Sequence, residues 1–252
     1  MRAPVDTIAA PLFPTGLPWV NVVGPQASIQ RGRPMLVEFW DFCRVNSLRT
    51  LPYMKAWHER YAQGGLRVIG VHSPGFPPSR SESAVRDAVE RLAIPYPVLI
   101  DSSLTVWEDY GNEGWPSRYL FDGRGRLFDY HHGEGGYIDT ELAIQELVGI
   151  ALEPLAPVHP EDAPDARLHV QTADQPGAYS GPYEAGGVWA VLDGEGIAHV
   201  NGGASAGGRD LTVGHPGAYP LIEHDRHTVG MLELRLGPGV SCLATCFTPG
   251  VV

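Results

Sequence analysis

The stretch MLVEFWDFCRVNSLRTLPYMKAWHERYAQGG, residues 35 to 65, decides the reading of the fold. Its first eight residues, MLVEFWDF (35 to 42), form a mostly apolar run that suits a strand buried on both faces, at the centre of a sheet. After it the period changes. From Val45 to Gln63 the residues Leu48, Leu51, Trp57 and Tyr61 recur at helical spacing, and Gly64-Gly65 supplies a C-terminal stop. Pro52 lies inside that helix, where it removes a backbone hydrogen bond and bends the axis at a cost of ~3 kcal/mol, so the surrounding fold has to favour the bend.

Working outward, LRVIGVH (66 to 72) reads as a second buried strand, and Ser79 with Glu82 has capping-box spacing ahead of the helical stretch SAVRDAVERLA. PYPVLID (95 to 101) brings the chain back toward the sheet, and Asp101-Ser102-Ser103 caps a short helix through Tyr110. SRYLFD, the turn GRG and RLFDYHH then read as a hairpin. A last helix is predicted from about Asp139 to Leu152, with Leu142, Leu147 and Ile150 as its buried stripe. The order is βαβαβ followed by ββα, an α/β domain over residues 1 to 152.

EPLAPVHPEDAPDA (153 to 166) has four prolines, four acids and no hydrophobic period, which is the composition of a linker. Beyond it, over 167 to 252, come RLHVQT, VWAVLD, IAHVNG, RDLTV, AYPLI, TVGMLELRL and VSCLATCF, separated by Gly-rich turns. They predict a small all-β sandwich. Of the 31 glycines of the 252-residue chain, 16 fall in this segment, while most of the 23 prolines precede it. A formal charge of -11 excludes nucleic acid and anionic membrane as main partners, since both need a basic face. MRAPVDTIAAPLFPTGLPWV has no apolar run of signal-peptide length, and no later stretch approaches a membrane span. The chain as it stands is expected in the cytoplasm, and outside it if an export segment has been removed ahead of it.

The element order and the proline-bearing first helix accompany a set of motifs: FW (39, 40), NSLRTLPYMKAWHERY (46 to 61), VIGVHSP (68 to 74), YGNEGWPSRYLFD (110 to 122) and HHGEGGY (131 to 137). Together they resemble the thioredoxin superfamily. Within it, the wording is closest to the TlpA/ResA-like thiol oxidoreductases and to the soluble portion of the DipZ proteins. AYPLIEHDRHTVGMLELRLGPGVSCLATCF further resembles the carbohydrate-binding-module-like domain that follows thioredoxin in DipZ-type proteins. The resemblance implies a thioredoxin-like fold and, in the family, a Cys-x-x-Cys pair at the start of the first helix.

Counting back from Pro52, the resemblance puts the two cysteine positions at Arg44 and Ser47. A dithiol cycle needs an attacking thiolate and a resolving thiol, and Ser47 cannot resolve anything, so thiol-disulfide exchange is not expected. Cys43, one residue earlier, has two readings. Either it is a monothiol or peroxide-reactive cysteine activated by Arg44 and the helix start, or it is a small apolar side chain at the end of a buried strand. Neighbours on an extended chain face opposite ways, which aims Cys43 away from the usual active-site direction.

Arg44 and Ser47 at a helix start suit an anion such as a carboxylate, phosphate or sulfate; alternatively Arg44 pairs with Asp41 or Glu38, and Asn46 and Ser47 cap the helix. Trp115-Pro116 matches the superfamily's cis-proline, which implies a peptide-presenting groove. His72, and His131 with Glu134, match family positions and serve either as acid and base or as loop-fixing hydrogen-bond partners. Cys242 and Cys246 are expected on one face of a strand, about 13 Å apart by strand rise, as core residues. Trp189, Tyr183 and Tyr219 are no denser than a core requires. No metal or cofactor is expected, since no histidine spacing reads as HxH or HExxH. The leading expectation is a binding module for a protein, peptide or small anionic ligand; the alternative is an enzyme, a one-cysteine thiol oxidoreductase or peroxidase at Cys43 or non-redox chemistry at His72 and Glu134.

Overall fold

The computed structural model describes residues 1–5, 7–22, 30, 32–203 and 205–252, with the backbone alone at 205–207. The chain divides into two compact units, Met1–Phe42 with Asn46–Ala156, and Cys43–Val45 with Pro157–Val252.

In the first unit a six-stranded sheet runs in the order β1-β4-β3-β2-β5-β6. The strands are β1 (Trp19–Val20), β2 (Met35–Trp40), β3 (Arg67–His72), β4 (Val98–Ile100), β5 (Ser117–Phe121) and β6 (Leu127–His132). β2, β3 and β4 are parallel, while β1, β5 and β6 join antiparallel. Every residue of β2 is buried, as its unbroken apolar run requires of a central strand. One face carries Met35, Val37, Phe39, Ile69, Val71, Leu99, Tyr119 and Phe121 into a single core cluster. At roughly 1.5–3 kcal/mol for each large side chain taken out of water, that cluster contributes strongly to cohesion. The other residues of β2, among them Glu38 and Trp40, alternate to the opposite face.

Helix α1 (Val45–Tyr61) runs through Pro52 and buries Tyr53, Trp57 and Tyr61. Helix α2 (Glu82–Arg91) is capped by Ser81, whose side chain accepts from Ala84 N, and not by Ser79, which is fully buried in the preceding turn. Helix α3 (Thr105–Asp109) is short. Helix α4 (Tyr137–Val148) begins and ends earlier than its periodicity suggested, because Gly136 and Gly149 take left-handed conformations at its two ends. Its buried face is Tyr137, Thr140, Glu141, Ala143, Ile144 and Gln145, while Leu142 is 47% exposed. The apolar stripe misled because two polar residues on the inner face have partners: Tyr61 Oη donates to Glu141 Oε1 (2.6 Å), and Gln145 Nε2 donates to Tyr61 Oη (2.9 Å). Outside β6 the chain lies back along the edge through isolated bridges Arg2↔Asp129 and Ala9↔Arg126.

The second unit holds β7 (Leu168–His169), β8 (Gln175–Pro176), β9 (Gly181–Gly194), β10 (Gly196–Gly202), β11 (Ser205–Val213), β12 (Gly217–Leu236), β13 (Val240–Thr248) and β14 (Gly250–Val251). Six of them form an antiparallel sheet in the order β11-β10-β12-β9-β13-β8, and β7 pairs with β14. AYPLI and TVGMLELRL prove to be one strand of 20 residues that bends where its pairing with β9 slips between Glu223 and Thr228. Tyr183, Val188, Leu192, Val200, Leu221, Leu234 and Phe247 lie in its core. Tyr183 and Tyr219 belong to that core, so neither ring presents an open stacking surface. A slip in the pairing of β13 with β9, between Cys242 and Ala244, turns β13 over. Cys242 packs with the core to which Phe247 contributes, which leaves Cys246, next to Phe247, on the other face.

Candidate functional site

The carboxyl ends of parallel strands are where α/β sheets place their clefts. At that end of the first unit the loops after β2, after β3, before β5 and after β6 are tied to one another by buried polar groups. Asp41, with no exposed surface, accepts from Gly75 N (2.7 Å) and from Ser79 Oγ (3.1 Å), and His72 Nε2 lies 3.5 Å from its other oxygen. Asp41 N donates to Ser47 Oγ (3.3 Å), so the serine reaches back from the first turn of α1 to the strand it follows. His72 is enclosed as well, edge-on to Trp40 and stacked on Phe42.

From this hub the connections run on to the proline loop. Ser73 N donates to Trp40 O, and Trp115 Nε1 donates to Ser73 O (2.8 Å), which fixes the indole. The Trp115-Pro116 peptide bond is cis. Trp107 lies against Trp115 with ring centroids 4.3 Å apart, and both indoles are half-buried. Gly133 N donates to Pro116 O (2.8 Å), which brings the glycine-rich loop Gly133–Gly136 alongside. In that loop Glu134 pairs with Arg49 of α1 at 2.8 Å, and His131 Nε2 lies 2.9 Å from Glu134 O. Burial, and after it the charge of Arg118, holds the His131 imidazole below its ordinary range.

The structure therefore brings Ser47, His72, Trp115, Pro116 and Glu134 to one end of one unit, but gives His72 and Glu134 separate partners, Asp41 and Arg49. Cys43 and Arg44 are counted with the second unit. Cys43 has no exposed surface and is in no disulfide. Among the described residues no group of three or more His, Cys, Asp or Glu side chains is placed to hold a metal ion. Among the described residues no helix is long and apolar enough to cross a membrane.

Sequence reading missed Asp41 and Arg49 as members of the site, and it missed an inner pair beneath it. Glu38 of β2 and Arg118 of β5 are direct register partners, both buried. Arg118 donates through Nη2 to Gly135 O and lies over the rings of Tyr137 and Trp57. Burial pushes the Glu38 carboxyl up to about 8, against the opposing pull of Arg118.

Superposition on solved structures settles the architecture. The chain matches the thiol:disulfide interchange protein DsbE of Chlorobium tepidum with a TM-score of 0.51 at 20% identity, over 57% of this chain and 99% of that one. A thiol-disulfide isomerase from Corynebacterium glutamicum gives a TM-score of 0.50 at 23% identity, over 58% and 100%. The first unit has a thioredoxin-like fold. By sequence the chain is 31% identical to protein DipZ of Mycobacterium tuberculosis over 163 residues, 61% of this chain and 24% of DipZ. It is 24% identical to the thiol-disulfide oxidoreductase YkuV of Bacillus subtilis over 130 residues, 52% of this chain and 87% of YkuV. The chain thus spans about a quarter of DipZ, and no family model matches it. It is related to thiol-disulfide oxidoreductases, yet next to its first helix it has a single cysteine, Cys43, and the other two are at 242 and 246.

Asp41→Ala should loosen this end of the thioredoxin-like unit. It leaves the half-buried Gly75 N–H without its acceptor, at ~1–3 kcal/mol, while the Ser79 hydroxyl keeps Phe76 O as a partner. Urea unfolding should show a loss of about 1–3 kcal/mol, with faster exchange of the Gly75 amide; an unchanged Gly75 amide would show that Asp41 does not hold the loop.

Proposed function

We propose that this chain uses the thioredoxin-like fold as a binding module, whose cleft at Trp115, Pro116, the Gly133–Gly136 loop and the start of α1 takes an extended peptide or a small anionic group. The observation that carries the reading is the state of sulfur near the first helix: Ser47 is a hydroxyl, position 44 is arginine, and the thiol of Cys43 has no exposed surface. A thiol attacks as an accessible thiolate, so a wholly enclosed one is a poor nucleophile. What the cleft does offer is recognition chemistry. Two half-exposed indoles stand beside the proline, and an Arg49–Glu134 pair beyond it presents charge. Trp and Arg are the residues that most often anchor interfaces.

Insulin reduction and peroxide consumption, measured on the wild type and on Cys43→Ser with thiol labelling of the same samples, test the claim. Neither activity is expected, and Cys43 should resist labelling until the protein unfolds. Turnover that disappears in Cys43→Ser would make the chain a one-cysteine redox enzyme. For the positive half, S-alkylated insulin B chain, which cannot exchange disulfides, serves as the peptide probe. It should shift the Trp115 indole and Glu134 amide resonances in the wild type, and Trp115→Ala should weaken its binding at least tenfold.

A further inference from the structure

Beneath the cleft, one face of the central sheet holds a group of buried polar atoms with no hydrogen-bond partner: both carboxyl oxygens of Glu38, Nε and Nη1 of Arg118, Nε1 of Trp40 and Trp57, and Oη of Tyr96. Buried polar groups are nearly always bonded, so a group of them left without partners inside the protein calls for an explanation. The set is also chemically complementary. It contains a carboxyl, a guanidinium with two uncommitted N–H groups, and three single donors.

We propose that Glu38 and Arg118 form a proton-operated latch on the Gly133–Gly136 loop. While Glu38 carries its proton, the guanidinium is left to hold Gly135 O through Nη2; when the proton leaves, the guanidinium turns its fork to the new carboxylate and Gly135 is released. This rests on the cleft reading, since the latched loop is the one that joins Pro116 and carries Glu134.

Three features support it. Glu38 and Arg118 stand opposite each other on adjacent strands, where cross-strand side chains meet, and each feels the other's charge. A guanidinium binds a carboxylate best through two N–H groups at once, and Nη2, the nitrogen both of its forks share, is now turned to Gly135 O, with Tyr137 as a further side-chain partner of Arg118. Burial keeps Glu38 protonated until about pH 8. Around the pair, Tyr96 faces Glu38 ahead of β4, with its phenol held well above its ordinary range by burial and then by Glu38. Tyr137 of α4 and Asp129 and His131 of β6 face Arg118. From α1 come the Trp57 ring against Arg118 and His58 beside Tyr96. His72 lies further along the same face of β3 and is engaged with Asp41. His58 and His131 are both held below their ordinary range, so neither changes charge in the alkaline window where the latch acts.

The test is a carbon- and nitrogen-detected NMR titration of the ligand-free chain from pH 6 to pH 9.5. The Glu38 carboxyl carbon, the Gly135 carbonyl carbon and the Gly136 amide should move with one midpoint, and in Glu38→Gln the two glycine signals should stay at their low-pH positions. A Glu38 titration that leaves Gly135 unmoved overturns the latch, and so does a Gly135 shift that persists in Glu38→Gln. If Glu38→Gln does not fold, coincidence or non-coincidence of the wild-type midpoints decides alone. Because no peptide is present, a failure of insulin B chain to bind leaves this result untouched.

Discussion

Glu38→Gln should flatten the alkaline side of the stability profile, with the gap in unfolding free energy between variant and wild type widening by about 5 kcal/mol from pH 4.5 to pH 8. The sign follows from where the proton is held. The folded chain binds it up to about pH 8, whereas the unfolded chain releases it near 4.5. Stability contributed by this group is therefore complete below 4.5 and lost progressively as pH climbs to 8, at ~1.4 kcal/mol for each pH unit. Glutamine keeps the shape and ionises nowhere. Urea unfolding of both proteins at pH 5, 6.5 and 8 reads the difference directly. Parallel profiles would show that Glu38 is already ionised in the folded protein, paired with Arg118 throughout.

Gly186→Ala should be strongly damaging to the second unit, at a cost of at least ~3 kcal/mol. A Cβ at this position would sit inside contact distance of Pro249 O and 2.8 Å from Gly250 Cα. Both are backbone atoms of the last turn and strand, so the clash cannot be relieved by rotating a side chain. Gly214→Ala is the control, since nothing lies within 4 Å of the added carbon. Thermal unfolding should separate the two variants clearly; equal midpoints would mean that the β9 and β14 backbones can part without loss.

The sequence made the central architecture legible because its periods are clean. A fully apolar strand, a helix with an internal proline and a proline after tryptophan gave the order of elements and the end of the sheet that matters. It was less informative wherever a polar residue is buried. Glu38 sits within MLVEFW, and a charge at the centre of a strand enclosed on both sides must be neutral or paired; that rule, applied to SRYLF as well, would have pointed to Arg118. Asp41 carries no such signal, because its partners Gly75 and Ser79 come from a loop whose course depends on the fold. In α4 the mistake had the same origin: Glu141 and Gln145 look like solvent residues until Tyr61 is seen to meet them. The cysteine spacing in β13 misled because a one-residue slip in pairing has no marker in VSCLATCF.

The bridges from Arg2 and Ala9 along β6 have a bearing on how the thioredoxin-like sheet meets other molecules. An open strand edge is a template on which a foreign strand can grow, in ordinary recognition or in fibril formation. Here one flank is masked by the chain's own first residues, and the other ends in a strand of only two residues. Lateral zippering is thereby disfavoured on both sides, and visitors to this sheet are directed to its loop-bearing end. Removing residues 1–10 should therefore show itself first as slow, concentration-dependent self-association, before any fall in the melting temperature of the fresh protein.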